Sequence, residues 1–323
     1  MILRYSLLRH KAGIFKTMTG LTVALFDELV WDLEPAYAQA TTARRERPGR
    51  KRAVGAGHPC CLSARDEVLL TVIWLRHYFT QEALGYFFGV SDTTALRAIR
   101  RVLPVLEAAG RATMRTPPPS RRQRYGVVET LRAFPELADL DDEARVVDSF
   151  EQRVQRPTDQ QEADRHYSGK KKAHTLKVQV VVEVGSGHIR EVAPSVPGPC
   201  ADSTLLRDSG ALERLPPGTR MLGDKAYRWK KKAETDAPLP PPVAIPRRKP
   251  RGKPLPPEDG VFNQAFACVR ITVEHVIRDL RIYQALSHVD RHRRREHTAR
   301  TCAVVELRAR RCRPGRRDQR RLA

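Results

Sequence analysis

Residues 145–154, RVVDSFEQRV, have the apolar pattern of a buried strand, and one aspartate, Asp148, directly follows two valines. Two other segments also carry one acid each: Asp224 ends the apolar stretch 219–224, and Glu274 lies in a long helical pattern. A carboxylate at the edge of a β core is costly to bury unless it is paired or binds a cation. Hard oxygen ligands of this kind suit Mg²⁺ or Mn²⁺. The three acids are therefore candidates for a metal site.

The chain is strongly basic. It has 59 Lys and Arg against 37 Asp and Glu, a net charge of +22 in 323 residues. Such an excess is typical of proteins that bind polyanions. A bias toward arginine throughout the chain is the alternative interpretation, but the basic residues cluster beside the acids, which favours nucleic acid. We therefore expect the substrate of the metal site to be the phosphodiester backbone of DNA.

The sequence carries no signal for secretion or membrane insertion. Residues 1–20 lack an apolar core followed by a cleavage site, and the longest apolar run, 68–75, is too short for a bilayer. The six cysteines are scattered and include no CxxC pair, so we expect neither a zinc site nor a disulfide framework. We expect a cytoplasmic, nucleoid-associated protein with no membrane partner.

A helix-turn-helix is predicted within residues 64–109. A helix over 64–79 is followed by a short helix over 81–88, the turn 89–91, and a longer helix that begins at Asp92 with Ser91 as its N-cap. The apolar stripe of that last helix faces inward, while Thr93, Arg97 and Arg100 share the opposite face. A recognition helix needs such a row of polar and cationic side chains to reach bases and phosphates. An ordinary helical hairpin with a solvated face would show the same pattern.

The pattern along the chain predicts three further regions after a helical DNA-binding domain over 1–111. Residues 112–143 form a linker, proline-rich and basic at its start, and 291–323 form a basic, flexible tail. Between them, residues 144–290 follow the order β-β-β-α-β-β-α. The predicted strands are 145–154, 174–184, 188–193, 219–224 and 243–245, and the predicted helices are 201–215 and 260–286. The expected class is α/β, a mixed five-stranded sheet with flanking helices preceded by an all-α domain.

This order, with its acids on the first strand, the fourth strand and the last helix, resembles the RNase H-like core of DDE-type transposases. Local motifs strengthen the resemblance to bacterial insertion-sequence transposases of the insertion-sequence-five type over residues 15–290. These motifs are Tyr167–Lys172 with His174, Thr175 and Lys177; Pro197-Gly198 with Asp202; Asp224–Tyr227; and Arg270 with Val273–His275. Each motif is weak by itself, and the combination is specific.

The resemblance implies a metal-dependent endonuclease and strand transferase. Asp148 would bridge two Mg²⁺ or Mn²⁺ ions, with Asp224 on one ion and Glu274 on the other, and the ions would clamp the attacking and leaving oxygens. The same site would hydrolyse the transposon ends and then direct the freed 3′-hydroxyl at target DNA. Asp202 is the alternative second acid, but it opens a predicted helix, where an N-terminal acid already has a structural role. We prefer Asp224, because it lies at the end of the fourth strand.

The expected partner is double-stranded DNA, both the terminal inverted repeats and the target, and a homodimer is possible. The expected DNA contacts are Thr93, Thr94, Arg97 and Arg100 on the recognition helix, and Lys170, Lys171, Lys172, Lys177, Lys225, Arg278 and Arg281 around the acids. For the lysine run 170–172 a solvated loop is the alternative. Two other functions stay open: a helix-turn-helix regulator with an inactive catalytic half, and a metal-dependent nuclease without strand transfer.

Overall fold

The computed structural model describes residues 3–46, 60–117, 127–138, 140–141, 143–216, 218–228, 243–291 and 296–312. The proline-rich stretch 238–242, residues 118–126 of the predicted linker and residues 313–323 of the predicted tail lie outside this part of the chain. The chain divides into two compact units. The first comprises Met1–Thr113, Leu280–His288 and Ala299–Gly315, and the second Met114–Asp279, Val289–Thr298 and Arg316–Ala323.

Among the described residues, helices make up most of the first unit and accompany a sheet in the second. The described α-helices are α1 (Tyr5–Leu8), α2 (Ala12–Thr19), α3 (Val23–Arg45), α4 (Ala64–His77), α5 (Gln81–Phe88), α6 (Asp92–Arg115), α7 (Val127–Arg132), α8 (Gln160–His166), α9 (Asp202–Asp208), α10 (Pro257–Arg281) and α11 (His297–Arg311). Short 3-10 turns cover Pro135–Leu137, Lys225–Tyr227 and Gln284–Leu286. No helix of the described chain is long and apolar enough to cross a membrane.

The predicted helix-turn-helix is confirmed as α4, α5 and α6. The α5–α6 turn is tight because the Val90 amide donates to the Gly85 carbonyl at 2.9 Å, and Gly89 takes a left-handed φ of 59°. A Cβ atom at Gly85 would lie 2.6 Å from the Val90 carbonyl oxygen, so this position excludes a side chain. Ser91 caps α6 as expected, since its Oγ accepts from the Thr94 amide at 3.1 Å.

The second unit is built on a mixed sheet. Its strands are β1 (Arg145–Arg153), β2 (Tyr167–Ser168), β3 (Ala173–Glu183), β4 (Ile189–Val192), β5 (Val196–Pro197), β6 (Met221–Leu222) and β7 (Val243–Ala244). The order is β2-β3-β1-β6-β7, and β4 and β5 also pair with β3. β3 runs antiparallel to β1, whereas β1, β6 and β7 are mutually parallel. This arrangement, with flanking helices and an N-terminal helical region, agrees with the expected RNase H-like class.

Several predicted boundaries need correction. The five expected strands are present as β1, β3, β4, β6 and β7, but β2 and β5 were missed because two residues are too few to show alternation. The helix predicted over 201–215 stops at Asp208, and Gly210 takes a left-handed φ of 68° just beyond its end. The helix predicted over 260–286 runs from Pro257 to Arg281. Helices α6 and α7 occupy parts of the predicted linker.

The largest error concerns the basic tail. Residues 297–311 form the helix α11, in which Cys302, Ala303, Val304, Val305 and Leu307 are almost completely buried. A Cβ atom added to Gly110 of α6 would overlap the carbonyl oxygen of Cys302, so α6 and α11 pack backbone against backbone within the first unit. The prediction of a flexible segment was wrong for these residues, because the many arginines hid a short apolar face.

We expect Cys302 to resist alkylation in the native protein. Burial raises the pKa of its thiol to about 11, so little of the reactive thiolate is present at pH 8. Iodoacetamide labelling followed by mass spectrometry should modify the exposed Cys268 first and Cys302 only in denaturant. Equal native labelling rates for the two cysteines would show that α11 is not packed as described.

Candidate active site

The pairing of two parallel strands brings two of the predicted acids together. β1 and β6 pair in the register Val146 with Leu222, and each strand reaches an aspartate two residues later, Asp148 and Asp224. Because the strands are parallel, both acids come directly after the last residue pair of the β1–β6 ladder and on the same side of it. The negative charge of Asp224 raises the pKa of the Asp148 carboxyl group.

The third acid, Glu274, is linked to Asp148 through an arginine. Nη2 of Arg270 lies 3.3 Å from Oδ2 of Asp148 and 3.4 Å from Oε1 of Glu274. Arg270 and Glu274 are four residues apart on α10, so they share one face of the helix. The structure therefore places β1 and α10 so that one guanidinium nitrogen contacts two of the three predicted acids.

Asp148 is in an environment that disfavours its charge. Burial raises the pKa of its carboxyl group, and the neighbouring carboxylates of Asp224 and Asp202 raise it further. The Ser149 amide, which donates to Oδ1 of Asp148 at 2.8 Å, and the Arg270 guanidinium act in the opposite direction. A buried carboxylate of this kind gains most from a cation that contacts it directly.

Asp224 and Tyr227 form a compact corner after β6. Oδ1 of Asp224 accepts a hydrogen bond from the Ala226 amide at 2.8 Å, which caps the 3-10 turn. The ring of Tyr227 packs on Gly223, where an added Cβ would be only 3.0 Å from the ring. The pKa of the Tyr227 phenol is raised by its burial, and then by the charges of Asp202, Asp148 and Asp224. Tyr227 was not among the predicted site residues, although the motif that contains it was recognised.

Asp202, the alternative second acid, is the first residue of α9 and has a different set of partners. Its Oδ1 accepts a hydrogen bond from the Ser149 hydroxyl at 2.6 Å and lies 3.0 Å from Nζ of Lys177. An ammonium partner that is itself buried offsets the charge of Asp202. Asp224 is half-buried two residues after β6, and among the described residues its carboxylate accepts only the Ala226 amide.

The prediction that Lys177 contacts DNA needs correction. Lys177 lies in the middle of β3 and is 7% exposed. Its Nζ also donates to the carbonyl oxygen of Cys200 at 2.5 Å, in addition to its ion pair with Asp202. Sequence alone could not separate this lysine from its neighbours on the strand, because its partners lie more than 20 residues away.

The other basic residues predicted around the acids are exposed. Lys170, Lys171 and Lys172 form the turn between β2 and β3, and Lys172 takes a left-handed φ of 48°. Lys225, Arg278 and Arg281 are also exposed. Their exposure leaves them available to phosphates, and it equally fits a solvated surface.

The recognition helix α6 has the two faces that its sequence predicts. Ala95, Ile99, Val102 and Leu106 are at most 3% exposed and form the inward stripe. Thr93, Arg97 and Arg100 are exposed on the opposite side. Thr94 is half-buried and lies 2.9 Å from the Ser91 hydroxyl, so its side chain belongs to the helix cap.

The acids do not form a ready-made metal cluster. In the described parts of the chain, no three His, Cys, Asp or Glu side chains are close enough together to hold an ion. The donor set is nevertheless appropriate in kind, since carboxylate oxygens at a desolvated edge are the ligands that Mg²⁺ and Mn²⁺ prefer. Between Asp148 and Glu274 lies the guanidinium of Arg270, which contacts both carboxylates.

Comparison with known proteins agrees with both halves of this description. Residues 147–306 match the family described as DDE superfamily endonuclease, and residues 60–112 match the helix-turn-helix of DDE superfamily endonuclease. The chain belongs to the DDE superfamily of endonucleases. A probable transposase for insertion sequence element IS702 from Microchaete diplosiphon is 26% identical over 293 residues, which cover 91% of this chain and 92% of that protein. No solved structure matches the chain.

Membership in the DDE superfamily fits the contents of the site. Endonucleases of this superfamily depend on divalent metal, usually Mg²⁺ or Mn²⁺. The family match begins at Val147, one residue before Asp148, and includes Asp224 and Glu274. The helix-turn-helix match covers α4 and α5 and most of α6, which indicates that this endonuclease binds DNA through its N-terminal helices.

We expect Lys177→Met to destabilise the endonuclease rather than merely weaken DNA binding. The substitution keeps most of the apolar length of the side chain but leaves the Asp202 carboxylate and the Cys200 carbonyl without the ammonium, at a cost of about 1–3 kcal/mol. Urea unfolding should show this loss, while Lys171→Met on the exposed turn should stay within about 0.5 kcal/mol of wild type. An unchanged unfolding midpoint for Lys177→Met, together with weaker DNA binding, would restore the original prediction.

Proposed function

We propose that the chain is a DNA transposase that cleaves transposon ends and transfers the freed 3′-hydroxyl strand into target DNA. The observation that carries the proposal is the pairing of β1 with β6, which sets Asp148 and Asp224 at one end of the β1–β6 ladder, with Glu274 linked to Asp148 through Arg270. The family match and the probable transposase that is similar along most of the chain support this function.

Asp148, Asp224 and Glu274 are the proposed ligands of one or two Mg²⁺ or Mn²⁺ ions. When bound, such ions supply an activated oxygen nucleophile and neutralise the charge that develops on the phosphate. The protein contributes the geometry: the paired strands fix the spacing of the two aspartates, and the Ser149 amide fixes the rotamer of Asp148. The burial of Asp148 keeps its oxygens poorly hydrated, which strengthens their interaction with a cation.

The first unit would select the DNA ends. Thr93, Arg97 and Arg100 of α6 are the proposed contacts to the terminal inverted repeats, and Thr94 supports the helix cap. The exposed residues Lys170, Lys171, Lys172, Lys225 and Arg278 of the second unit, together with Arg281 at the end of α10, are proposed to contact phosphates. We further propose that the protein acts in the bacterial cytoplasm as a homodimer that brings two ends together.

Loss of the paired aspartates should abolish the reaction. The test uses purified full-length protein, Mg²⁺ and a duplex that carries the inverted repeat flanking its gene, with a supercoiled plasmid as target. We expect Asp148→Asn and Asp224→Asn to reduce nicking and joining more than about a hundredfold, because loss of a supporting partner alone typically costs 10–100-fold. Products are resolved by gel electrophoresis and sequencing of the junctions.

The matched control is Asp208→Asn, the same substitution at an exposed acid at the end of α9, which should react like wild type. Nicking without joining would identify a nuclease that lacks strand transfer. Specific binding with no metal-dependent cleavage would identify a DNA-binding regulator. Full activity in either paired-aspartate variant would refute the proposed site.

Removal of the two arginines from α6 should weaken DNA binding and its dependence on salt. Each phosphate contact contributes a slope of about −0.9 to the plot of log affinity against log salt. Arg97→Gln with Arg100→Gln should therefore make the slope less negative by up to about 2 if both contact phosphates. Lys11→Gln with Lys16→Gln removes the same charge from exposed positions on another part of the first unit and should leave the slope near that of wild type. Fluorescence anisotropy at salt concentrations from about 50 to about 300 mM measures the DNA affinity of each variant and hence its salt slope. Equal slopes for the two double variants would exclude α6 as the contact.

A further inference from the structure

The contact between Arg270 and the acids has unusual geometry for an ion pair. A single nitrogen, Nη2, contacts both Asp148 and Glu274, and the two distances are 3.3 and 3.4 Å. Hydrogen bonds between charged groups are typically about 2.7–2.9 Å, and arginine usually presents two parallel donors to one carboxylate. The guanidinium therefore lies between the acids without bonding well to either.

A second feature of Arg270 shows that its present position is costly. Its Nε atom is buried and has no hydrogen-bond partner in the described part of the chain. A buried donor that is left unsatisfied loses its interaction with water and receives nothing in return. The side chain is 19% exposed, so the guanidinium can still reach solvent if it rotates away.

The location of the guanidinium is as informative as its geometry. Its charge lies between the carboxylates of Asp148 and Glu274, which the proposed function requires to approach a common cation. Of these two acids Asp148 is the more buried, with 19% of its side chain exposed against 55% for Glu274.

We propose that Arg270 is an internal counter-ion that occupies the cation position between Asp148 and Glu274 and is displaced when a divalent ion binds. This inference rests on the proposed metal site. A divalent ion carries twice the charge of the guanidinium and contacts carboxylate oxygens at close to 2 Å, so it replaces a long and poorly directed contact. Displacement also ends the burial of the unpaired Nε. Arg270 thereby sets the concentration of metal at which the site fills.

The first test measures metal affinity instead of activity. Mn²⁺ is titrated into the full-length protein without DNA, and free Mn²⁺ is followed by electron paramagnetic resonance. Arg270→Gln removes the competing charge and should tighten Mn²⁺ binding about three- to tenfold, the size expected for loss of a partly exposed ion pair. Arg270→Lys keeps the charge on a shorter donor and should give an affinity closer to that of wild type.

The matched control is Arg165→Gln, which removes one charge from an exposed position on α8, a helix that carries none of the proposed metal ligands. Its Mn²⁺ affinity should equal that of wild type. Unchanged or weaker binding in Arg270→Gln would overturn the counter-ion proposal. If wild type binds no Mn²⁺, or if Asp148→Asn binds it equally well, the proposed metal site fails first, and the two failures are thus distinguishable.

A second test uses the wild-type protein and so does not depend on the folding of a variant. Phenylglyoxal modifies accessible guanidinium groups, and mass spectrometry locates the modified residues. Saturating Mg²⁺ should increase the modification rate of Arg270 severalfold, because displacement turns it toward solvent, while the rate at the exposed Arg165 of α8 should stay constant. A rate at Arg270 that is unchanged or reduced by Mg²⁺ would contradict the proposed displacement.

Discussion

Repulsion between neighbouring carboxylates is the physical constraint on which the arrangement of the second unit depends. The pairing of β1 with β6 places Asp148 beside Asp224, and Asp202 is close enough to raise the pKa of Asp148 as well. Like charges at a partly desolvated edge oppose folding unless cations or hydrogen-bond donors balance them. The residues around each carboxylate supply the cation or the hydrogen-bond donor that offsets this repulsion.

Each acid is balanced in a different way, and the differences suggest different roles. Asp202 has a permanent partner, since Lys177 is buried with it on the sheet. Asp224 receives the amide of Ala226. Asp148 accepts a hydrogen bond from the Ser149 amide and has a longer contact, 3.3 Å, with the Arg270 guanidinium. Lys177 is thus the partner of Asp202, whereas the proposed metal ligand Asp148 has only the longer contact with Arg270 as its ion pair among the described residues.

Buried ion pairs stabilise the packing of helices in the first unit. Arg310 of α11 is almost completely buried, and its Nε donates to Glu306 at 2.5 Å while its Nη2 donates to Asp32 of α3 at 2.7 Å. Glu67 of α4 accepts from Arg101 of α6 and from the hydroxyl of Tyr37, and the pKa of that hydroxyl is raised to about 12, first by burial. In this protein arginine is therefore a core residue as well as a surface residue, and the basic composition overstates the charge that is available to DNA.

The sequence by itself determined the α/β class, the five main strands, the helix-turn-helix and the three candidate acids. These features depend on local periodicity and on short motifs, which hold wherever the segment lies in the fold. Tertiary structure decided that Lys177 pairs with Asp202, that Arg270 lies between Asp148 and Glu274, and that α11 is buried. Asp148 and Arg270 are 122 residues apart, and no local pattern records which distant charge a side chain will meet. From sequence alone a charged residue is predicted to be exposed, because its buried partner is not known. The arginine-rich C-terminal region was therefore the part of this chain that was predicted least accurately.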